Sequence, residues 1–245
     1  MKKEKIGIIG NGDFGKFLCT HLSKYFSLES FDREDIKKVY DGDLDQIQRI
    51  NSVDYLIFAV TLNGLEDVCK KISGKISADI ILVDVMSIKV PPINIMNEYF
   101  PANQILATHP IFGPQSGKNG LKNLPIVLTN VSLEDSLYLK IKQFLSEKLE
   151  LNILEKTLEQ HDIEMAYIQG LSHFIGRAIE VMDIKSYDTN TYSYTQLLKL
   201  KELVGGDSFE LYKTIQNGNK YAVDIRKKFL QVLNDLEKSI EDKDK

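Results

Sequence analysis

Short apolar runs separated by amphipathic stretches make up the first 155 residues. The runs are EKIGII (4–9), SLESF (27–31), VDYLIFAV (53–60), ADIILVDV (78–85), NQILAT (103–108) and LPIVLT (124–129). They are β-rich and do not alternate with polar residues, which predicts parallel strands covered on both faces. Helical segments lie between several of them, notably at 62–73 and roughly 91–99. The pattern therefore predicts an α/β fold with a Rossmann-type, doubly wound, mostly parallel sheet, to which LELNILE (149–155) is a candidate edge strand.

The pattern changes near residue 156, after which we find no convincing strand. Residues 156–184 predict one long helix, and further helices are expected at about 191–204, 207–216 and 219–241. We therefore expect a dinucleotide-binding domain over 1–155 and an all-α domain over 156–245. The final residues, SIEDKDK, predict a solvated tail.

A glycine loop follows the first apolar run. IGIIGNGDFG carries Gly10, Gly12 and Gly15 in G-x-G-x-x-G spacing between a predicted strand and a predicted helix. In that context the glycines allow a tight turn, close approach to a pyrophosphate and helix–strand packing, and the helix N-terminus attracts phosphate. A tight structural turn is the alternative. The predicted cofactor-binding residues are Gly10, Gly12, Asp13, Phe14, Gly15, Asp32, Arg33, Ala59 and Val60.

The residues after the second run bear on the choice of cofactor. Asp32 follows SLESF directly, about 20 positions beyond the glycine loop, where a carboxylate can accept from both ribose hydroxyls and repel a 2′-phosphate. Arg33 is next and favours that phosphate instead. We expect NAD, with NADP possible. Asp32 is alternatively the cap of the next helix.

A histidine follows the run NQILAT, in the segment ATHPIFGPQSG. His109 is expected at the carboxyl edge of the sheet, where ligands bind in open α/β folds, and Pro110 restricts the backbone after it. This setting suits a general base near a nicotinamide. Ser87, in VDVMSIK, ends the preceding strand and is a candidate to orient His109 or the nicotinamide amide; its alternative is a helix N-cap.

The predicted long helix carries a narrow polar stripe. At 100° per residue, Asp162, Ala166, Gln169, His173 and Arg177 fall within about 60° of one another. The other faces are largely apolar, which predicts a buried helix. A buried His and Arg four residues apart suit a carboxylate-bearing substrate. A hydrogen-bonded structural network, or a stripe that faces water, is the alternative.

Composition excludes several functional classes. The net charge is −4, and Lys and Arg are scattered, which does not favour nucleic-acid binding. No apolar stretch approaches the roughly 20 residues of a membrane span, and no His and carboxylate spacing suits a metal. The two cysteines, Cys19 and Cys69, lack metal or redox spacing and read as reduced residues of a cytoplasmic protein.

These segments together resemble the prephenate and arogenate dehydrogenases of tyrosine biosynthesis. The likeness lies in IGIIGNGDFG, VDVMSIK, THPIFGPQSGK and QHDIEMAYIQGLSHFIGRAI, and LLKLKELVGGDSFELYKTIQNGN is similar to the family's later helices. The segments DSFELY and THPIFGPQSG are most similar to the arogenate-type branch of plants and cyanobacteria. The likeness covers nearly the whole chain.

The resemblance implies an NAD(P)-dependent oxidative decarboxylation. Prephenate would give 4-hydroxyphenylpyruvate, and arogenate would give tyrosine. It implies that His109 holds and deprotonates the ring hydroxyl, that Ser87 contacts this histidine and the nicotinamide, and that His173 lies in the substrate site. It also implies a homodimer formed through the C-terminal helices.

One departure from the family leaves the substrate open. Many prephenate-type members carry an arginine after the long helix that grips the ring carboxylate, and none stands at the matching place here. Lys199, Lys201 or Arg177 are the alternatives; with Gln169 and His173, we count Lys201 and Arg177 as candidate substrate-binding residues.

Two other functional classes stay open. The first is a reductase of the β-hydroxyacid dehydrogenase or imine reductase type. The former group relies on a lysine four residues after an asparagine in the long helix, where this chain has Gln169 and His173. The second is a non-enzymatic NAD(H)-binding sensor, which would not need His109.

Overall fold

The computed structural model describes residues 3–241, and the chain divides into two compact units, Met1–Leu158 and Glu159–Lys245. The division falls slightly beyond the expected boundary at residue 155. The first unit holds a seven-stranded sheet, and the described residues of the second unit are helical or lie in short connections. The predicted tail over 239–245 lies partly outside the described residues, and its first part continues the last helix.

The seven strands are arranged as a doubly wound sheet in the order β2-β1-β3-β4-β5-β6-β7. Every neighbouring pair is parallel except β5 and β6, which are antiparallel. This confirms the predicted mostly parallel sheet. The strands are β1 (Lys5–Ile9), β2 (Ser27–Phe31), β3 (Tyr55–Phe58), β4 (Ile81–Asp84), β5 (Ile105–Pro110), β6 (Pro125–Asn130) and β7 (Asn152–Glu155).

Helices cover both faces of this sheet, which explains why its strands are apolar on both sides. One face packs Phe58 and Leu82 against Leu65 and Ile93, and the other packs Ile8 and Ile57 against Leu22, with Ile141 and Phe144 at its margin. The helices of this unit are α1 (Asp13–Leu22), α2 (Arg33–Asp41), α3 (Leu44–Ile50), α4 (Leu62–Ile72), α5 (Val90–Tyr99) and α6 (Asp135–Glu147).

The second unit begins with a helical segment that contains a π-helical turn. Its elements are α7 (Leu158–Met165), the π turn Ala166–Leu171, α8 (Ser172–Val181), α9 (Tyr192–Gly205), α10 (Phe209–Lys213), the π turn Thr214–Gly218 and α11 (Lys220–Glu241). The single helix predicted over 156–184 is therefore wrong in two respects: it is interrupted by the π turn and it ends at Val181. Gly170, in the π turn, packs against Ala222, and its carbonyl accepts from Gln216 Nε2 at 2.7 Å.

The prediction that this segment is buried around most of its circumference is also wrong. Tyr167 and Ile168 are exposed by 51% and 56%, whereas Met165 and Ala166 are buried. The π turn adds a residue to one turn, so the 100° spacing that placed Asp162 and Ala166 in line with Gln169 does not hold across it.

Candidate active site

The glycine loop joins β1 to α1 and lies against the end of β3. Gly10 has a φ of +116°, and a Cβ there would lie 2.2 Å from the carbonyl oxygen of Ala59. A Cβ on Gly15 would lie 1.9 Å from the carbonyl oxygen of Gly10, so this glycine permits the helix to pack on the loop. Both positions need glycine for reasons internal to the protein.

Gly12 differs, because a Cβ at this position would meet nothing within 4 Å. Gly12 is also the N-cap of α1 and provides no side chain to the free amides of the first turn. Open space in front of uncapped amides at the positive end of a helix fits a pyrophosphate. The residues present therefore fit the phosphates of a dinucleotide.

The other predicted cofactor residues lie around this loop. Asp13 and Phe14 form the first turn of α1, with Asp13 exposed and Phe14 half-buried. Ala59 and Val60 follow β3 directly, and the Ala59 amide donates to the Ile9 carbonyl at 2.9 Å. The structure thus brings the glycine loop and the end of β3 together at one edge of the sheet.

Asp32 is the N-cap of α2, as its alternative interpretation expected. Its Oδ1 accepts from the amides of Glu34 and Asp35 at 2.9 and 3.0 Å, and the Asp35 amide, with that of Glu34, holds the pKa of Asp32 below its ordinary value. Asp32 Oδ2 takes no hydrogen bond within the described residues. One oxygen thus caps the helix, and the contact of the other with a ribose stays a prediction. Arg33 is exposed beside it.

His109 lies inside β5, whereas the sequence predicted that it follows the strand. The strand continues to Pro110 because Pro110 and His109 pair with Ile126 and Val127 of the antiparallel β6. His109 is only 3% exposed. It is thus held by a paired strand on the sheet's carboxyl edge.

Ser87 follows β4, which is the parallel neighbour of β5. It is half-buried and is not the helix N-cap, because that position belongs to Lys89. Its capping alternative is therefore wrong. The structure places Ser87 and His109 at the ends of adjacent strands.

A buried ion pair beneath these two residues was missed by the sequence analysis. Asp84 and Lys89 are both fully buried and paired, and the Lys89 ammonium also donates to the Thr108 carbonyl. Thr108 Oγ1 donates to the Asp84 carbonyl at 2.8 Å, and the Met86 amide donates to Asp84 Oδ1 at 3.0 Å. The network ties the loop that carries Ser87 to the residue before His109. The sequence feature that indicates this ion pair is the presence of two opposite charges, Asp84 and Lys89, within the otherwise apolar segment VDVMSIKV.

Three of the predicted substrate residues in the helical unit have buried polar atoms without partners. Gln169 Oε1, His173 Nδ1 and Arg177 Nε are buried and have no hydrogen-bond partner within residues 3–241. Buried polar atoms of this kind are costly unless a ligand or water satisfies them. The three residues therefore fit a polar ligand.

Their neighbours define the charge of this group. His173 Nδ1 lies 3.7 Å from Asp207 Oδ2, and desolvation by burial lowers the pKa of His173. Arg177 pairs with Glu180 at 2.5 Å and donates to the Asp207 carbonyl at 3.3 Å. A neutral histidine beside a guanidinium offers donors suited to a carboxylate.

Two other residues of the sequence analysis are placed differently. Lys201, on α9, donates to the Ile184 carbonyl at 3.1 Å and lies 3.7 Å from Asp183, so it serves the turn after α8. Asp162, expected in the polar stripe, instead bonds the fully buried His161 at 2.8 Å.

No helix in residues 3–241 is both long and apolar enough to cross a membrane. In the same residues, no group of three or more His, Cys, Asp or Glu side chains is placed to hold a metal ion.

The first unit has the features of one class of protein. A doubly wound sheet whose first strand runs into a glycine loop, with a carboxylate after the second strand, is the nucleotide-binding unit of the dehydrogenase class. The family model described as prephenate dehydrogenase, nucleotide-binding domain, matches residues 27–153. The chain belongs to this prephenate and arogenate dehydrogenase family. A second model, described as TYRAAT1-like, C-terminal domain, matches residues 178–245.

Curated relatives agree with this assignment. The chain is 31% identical to arogenate dehydrogenase 1, chloroplastic, of Arabidopsis thaliana over 92% of this chain and 37% of that protein. It is 30% identical to arogenate dehydrogenase 2, chloroplastic, of the same plant over 85% of this chain and 62% of that protein. The chain thus spans less than two thirds of the length of these relatives.

Solved structures share the fold. Prephenate dehydrogenase from A. aeolicus, in complex with hydroxyphenyl propionate and NAD+, has a TM-score of 0.70 at 18% identity and covers 98% of this chain and 91% of that chain. Synechocystis arogenate dehydrogenase has a TM-score of 0.65 at 19% identity, with 97% and 92% covered.

Proposed function

We propose that the chain catalyses the NAD-dependent oxidative decarboxylation of prephenate or arogenate. The observation that supports the proposal is His109, a buried base in a chain of this family. His109 lies at the same edge of the sheet as the glycine loop. In this proposal His109 accepts the proton of the ring hydroxyl. A nicotinamide bound at the glycine loop would supply the hydride acceptor for the ring carbon that bears this hydroxyl.

The electron balance of the proposed reaction leaves little for the protein to supply. As the hydroxyl carbon becomes a carbonyl, the ring loses CO2, and the electrons of the broken C–C bond complete an aromatic ring. The carbonyl oxygen becomes a phenol oxygen and takes back the proton held by His109. Aromatisation drives the reaction, so the main requirements are orientation and one proton acceptor. The buried Asp84–Lys89 pair supports both, because it fixes the backbone on either side of the sheet edge.

The helical unit is proposed to bind the substrate's acidic groups. Gln169, His173 and Arg177 have buried polar atoms that lack partners in the described chain. A carboxylate can accept from Arg177 Nε and from His173 Nδ1, whereas Gln169 Oε1 would accept from a donor of the substrate. Lys201 is a weaker candidate, because its ammonium is already held by the Ile184 carbonyl. Arg177 is our candidate for the carboxylate grip that the family's usual arginine provides, because its buried Nε lacks a partner in the described chain, although Glu180 and the Asp207 carbonyl hold its terminal nitrogens.

The cofactor is proposed to be NAD rather than NADP. Asp32 remains a carboxylate at neutral pH, since backbone amides lower its pKa, and its free oxygen would repel a 2′-phosphate. The exposed Arg33 next to it would instead attract a 2′-phosphate and so favour NADP. A relative from Schizosaccharomyces pombe, 23% identical, is described as a probable prephenate dehydrogenase that uses NADP+, so both cofactors need testing.

A two-by-two assay tests the proposal. Prephenate or arogenate is offered with NAD+ or NADP+, and reduced nicotinamide is measured by absorbance. We expect turnover with NAD+ and one of the two substrates, and the preferred pair fixes both specificities. If none of the four combinations gives turnover while the chain still binds NADH, the result would favour a sensor that binds the nucleotide without catalysing a reaction.

A variant at His109 separates an enzyme from a sensor. We expect His109→Asn to lower kcat by at least about 100-fold, because it removes the proton acceptor, while the Kd for NADH stays within about twofold. Turnover would be followed spectroscopically and binding by nicotinamide fluorescence, a signal that the chain, which has no tryptophan, does not obscure. An unchanged kcat would remove His109 from the mechanism.

A further inference from the structure

Arg49 holds the turn that carries Asp32. It lies in the last turn of α3, outside every residue set discussed for the site. Its Nη2 donates to the Ser30 carbonyl at 2.6 Å and its Nη1 to Asp35 Oδ1 at 3.1 Å, so it binds the strand before Asp32 and the helix after it. The guanidinium also lies 4.6 Å from the centre of the Phe31 ring.

Asp35 connects this guanidinium to Asp32. Asp35 Oδ1 accepts from Arg49, while its Oδ2 accepts from the Asp32 amide at 3.0 Å. Asp32 and Asp35 are joined by a second hydrogen bond, in which Asp32 Oδ1 accepts from the Asp35 amide at 3.0 Å. Arg49 thus reaches the backbone of Asp32 through a single carboxylate.

The same strand end is tied to the glycine loop. Ser30 Oγ donates to Asn11 Oδ1 at 2.6 Å, and the Gly10 amide donates to the Phe31 carbonyl at 3.0 Å. Residues 30–32 are therefore held from two sides, by Arg49 and by the glycine loop.

The charges around Arg49 show why an arginine suits this place. Four acidic residues lie close together along the chain, from β2 to the start of α2: Glu29, Asp32, Glu34 and Asp35. Arg49 also pairs with Glu29 at 2.9 Å. Burial acts to raise the pKa of Glu29, but the bonds from Arg49 and Lys5 outweigh it and hold that pKa below its ordinary value. A planar fork can serve Glu29, Ser30 and Asp35 at once, which a lysine ammonium cannot do with the same geometry.

We propose that Arg49 is a positioning residue that sets the cofactor preference of the nucleotide site. It keeps the turn after β2 in the conformation in which one Asp32 oxygen caps α2 and the other stays available to a ribose. The inference rests on the proposed dinucleotide site but not on the identity of the second substrate.

Binding of NADH and NADPH to Arg49→Met tests the inference without turnover. If the turn keeps its conformation for about a tenth of the time, the Kd for NADH rises about tenfold, because apparent affinity scales with the competent fraction. The Kd for NADPH should change by less than about twofold, since the loss of a well-placed Asp32 also removes repulsion of the 2′-phosphate. The ratio of the two affinities is the readout that a merely structural role would not move.

Three further variants make the test specific. In an Asp32→Asn background, Arg49→Met should leave the NADH/NADPH ratio unchanged, because the effect acts through Asp32. Lys142→Met is the matched control: Lys142 is 34% exposed against 32% for Arg49 and pairs with Glu155 far along the sheet order, so both affinities should stay at the wild-type level. Arg49→Lys should show the same loss of ratio in milder form, and it replaces Arg49→Met if the latter does not fold.

The outcomes are distinguishable. An unchanged NADH/NADPH ratio in both Arg49 variants, or an equal loss of both affinities, would overturn the positioning role while leaving the dinucleotide site intact. If the wild-type chain binds neither nucleotide, the proposed cofactor site falls and the inference falls with it.

Discussion

His173 is a half-buried base whose protonation should cost stability. Desolvation by burial lowers its pKa; Asp207, 3.7 Å away, acts against this shift, and Arg177 adds to it. A folded pKa below the unfolded value means that the unfolded chain binds more protons between the two values. The contribution to stability is therefore complete above the ordinary histidine pKa of about 6.5 and is lost as the pH falls from there toward the folded pKa.

Denaturant unfolding between about pH 7.5 and about pH 5.5 measures this loss. We expect His173→Gln to reduce the dependence of unfolding free energy on pH, because glutamine does not titrate. Asp207→Asn should steepen it, since the carboxylate that favours charged His173 is gone. Identical pH profiles for the wild-type chain and His173→Gln would show that burial of this imidazole does not control acid stability.

Individual residues differed in how far the sequence could place them. His109 was found because a histidine between an apolar run and a proline is unusual for a core position. Lys89 was missed because a lysine next to a predicted helix start looks like a solvated residue, and only the fold brings Asp84 and the Thr108 carbonyl around it. Asp32 was found, and the structure shows its capping role, because its Oδ1 accepts from the amides of Glu34 and Asp35. Its contact with a ribose stays a prediction.

The Asp84–Lys89 pair should carry much of the stability of the β4–α5 connection. Lys89→Met leaves a buried carboxylate without its cation, which typically costs about 3–5 kcal/mol. We expect that loss in the free energy of unfolding, measured by denaturant titration. Asp84→Asn/Lys89→Met should cost less than Lys89→Met alone, because neither charge is left uncompensated.

A surface pair gives the comparison. Lys122 and Glu150 are 68% and 53% exposed, so Lys122→Met should change the free energy of unfolding by less than about 1 kcal/mol. Equal effects of Lys89→Met and Lys122→Met would mean that burial does not distinguish the two pairs.

The elements were predicted where burial leaves a clear pattern. The apolar runs located β1 to β6, because a strand covered on both faces must be apolar throughout. The mostly exposed β7 is the edge strand expected from LELNILE. The antiparallel direction of β6 was not foreseen, because an apolar run carries no direction, and the pairing with β5 that extends the strand to Pro110 is a tertiary contact. The π turn at Ala166–Leu171 escaped for a similar reason: helical periodicity is read on the assumption of one uniform turn.

The second unit, taken by itself, leaves an apolar stripe on α11 uncovered. Leu230, Leu233, Leu236 and Ile240 are 46%, 45%, 55% and 73% exposed, and their spacing of three, three and four residues puts them on one helix face. Such a contiguous stripe is typical of an interaction surface. The family resemblance implied a homodimer through the C-terminal helices, and this stripe is the part of α11 that a second copy would cover.

We therefore expect the chain to have a solution mass of twice 27.9 kDa by light scattering. Leu233→Glu, and more strongly Leu233→Glu/Leu236→Glu, should shift the mass to that of one chain, because a carboxylate buried in an apolar interface without a partner is costly. Gln231→Glu adds the same charge away from the stripe on the same helix and should leave the dimer intact. A single-chain mass for the wild type would refute dimerisation through α11. A monomeric Leu233→Glu variant with full turnover would show instead that each chain holds a complete site, so that the dimer serves stability rather than catalysis.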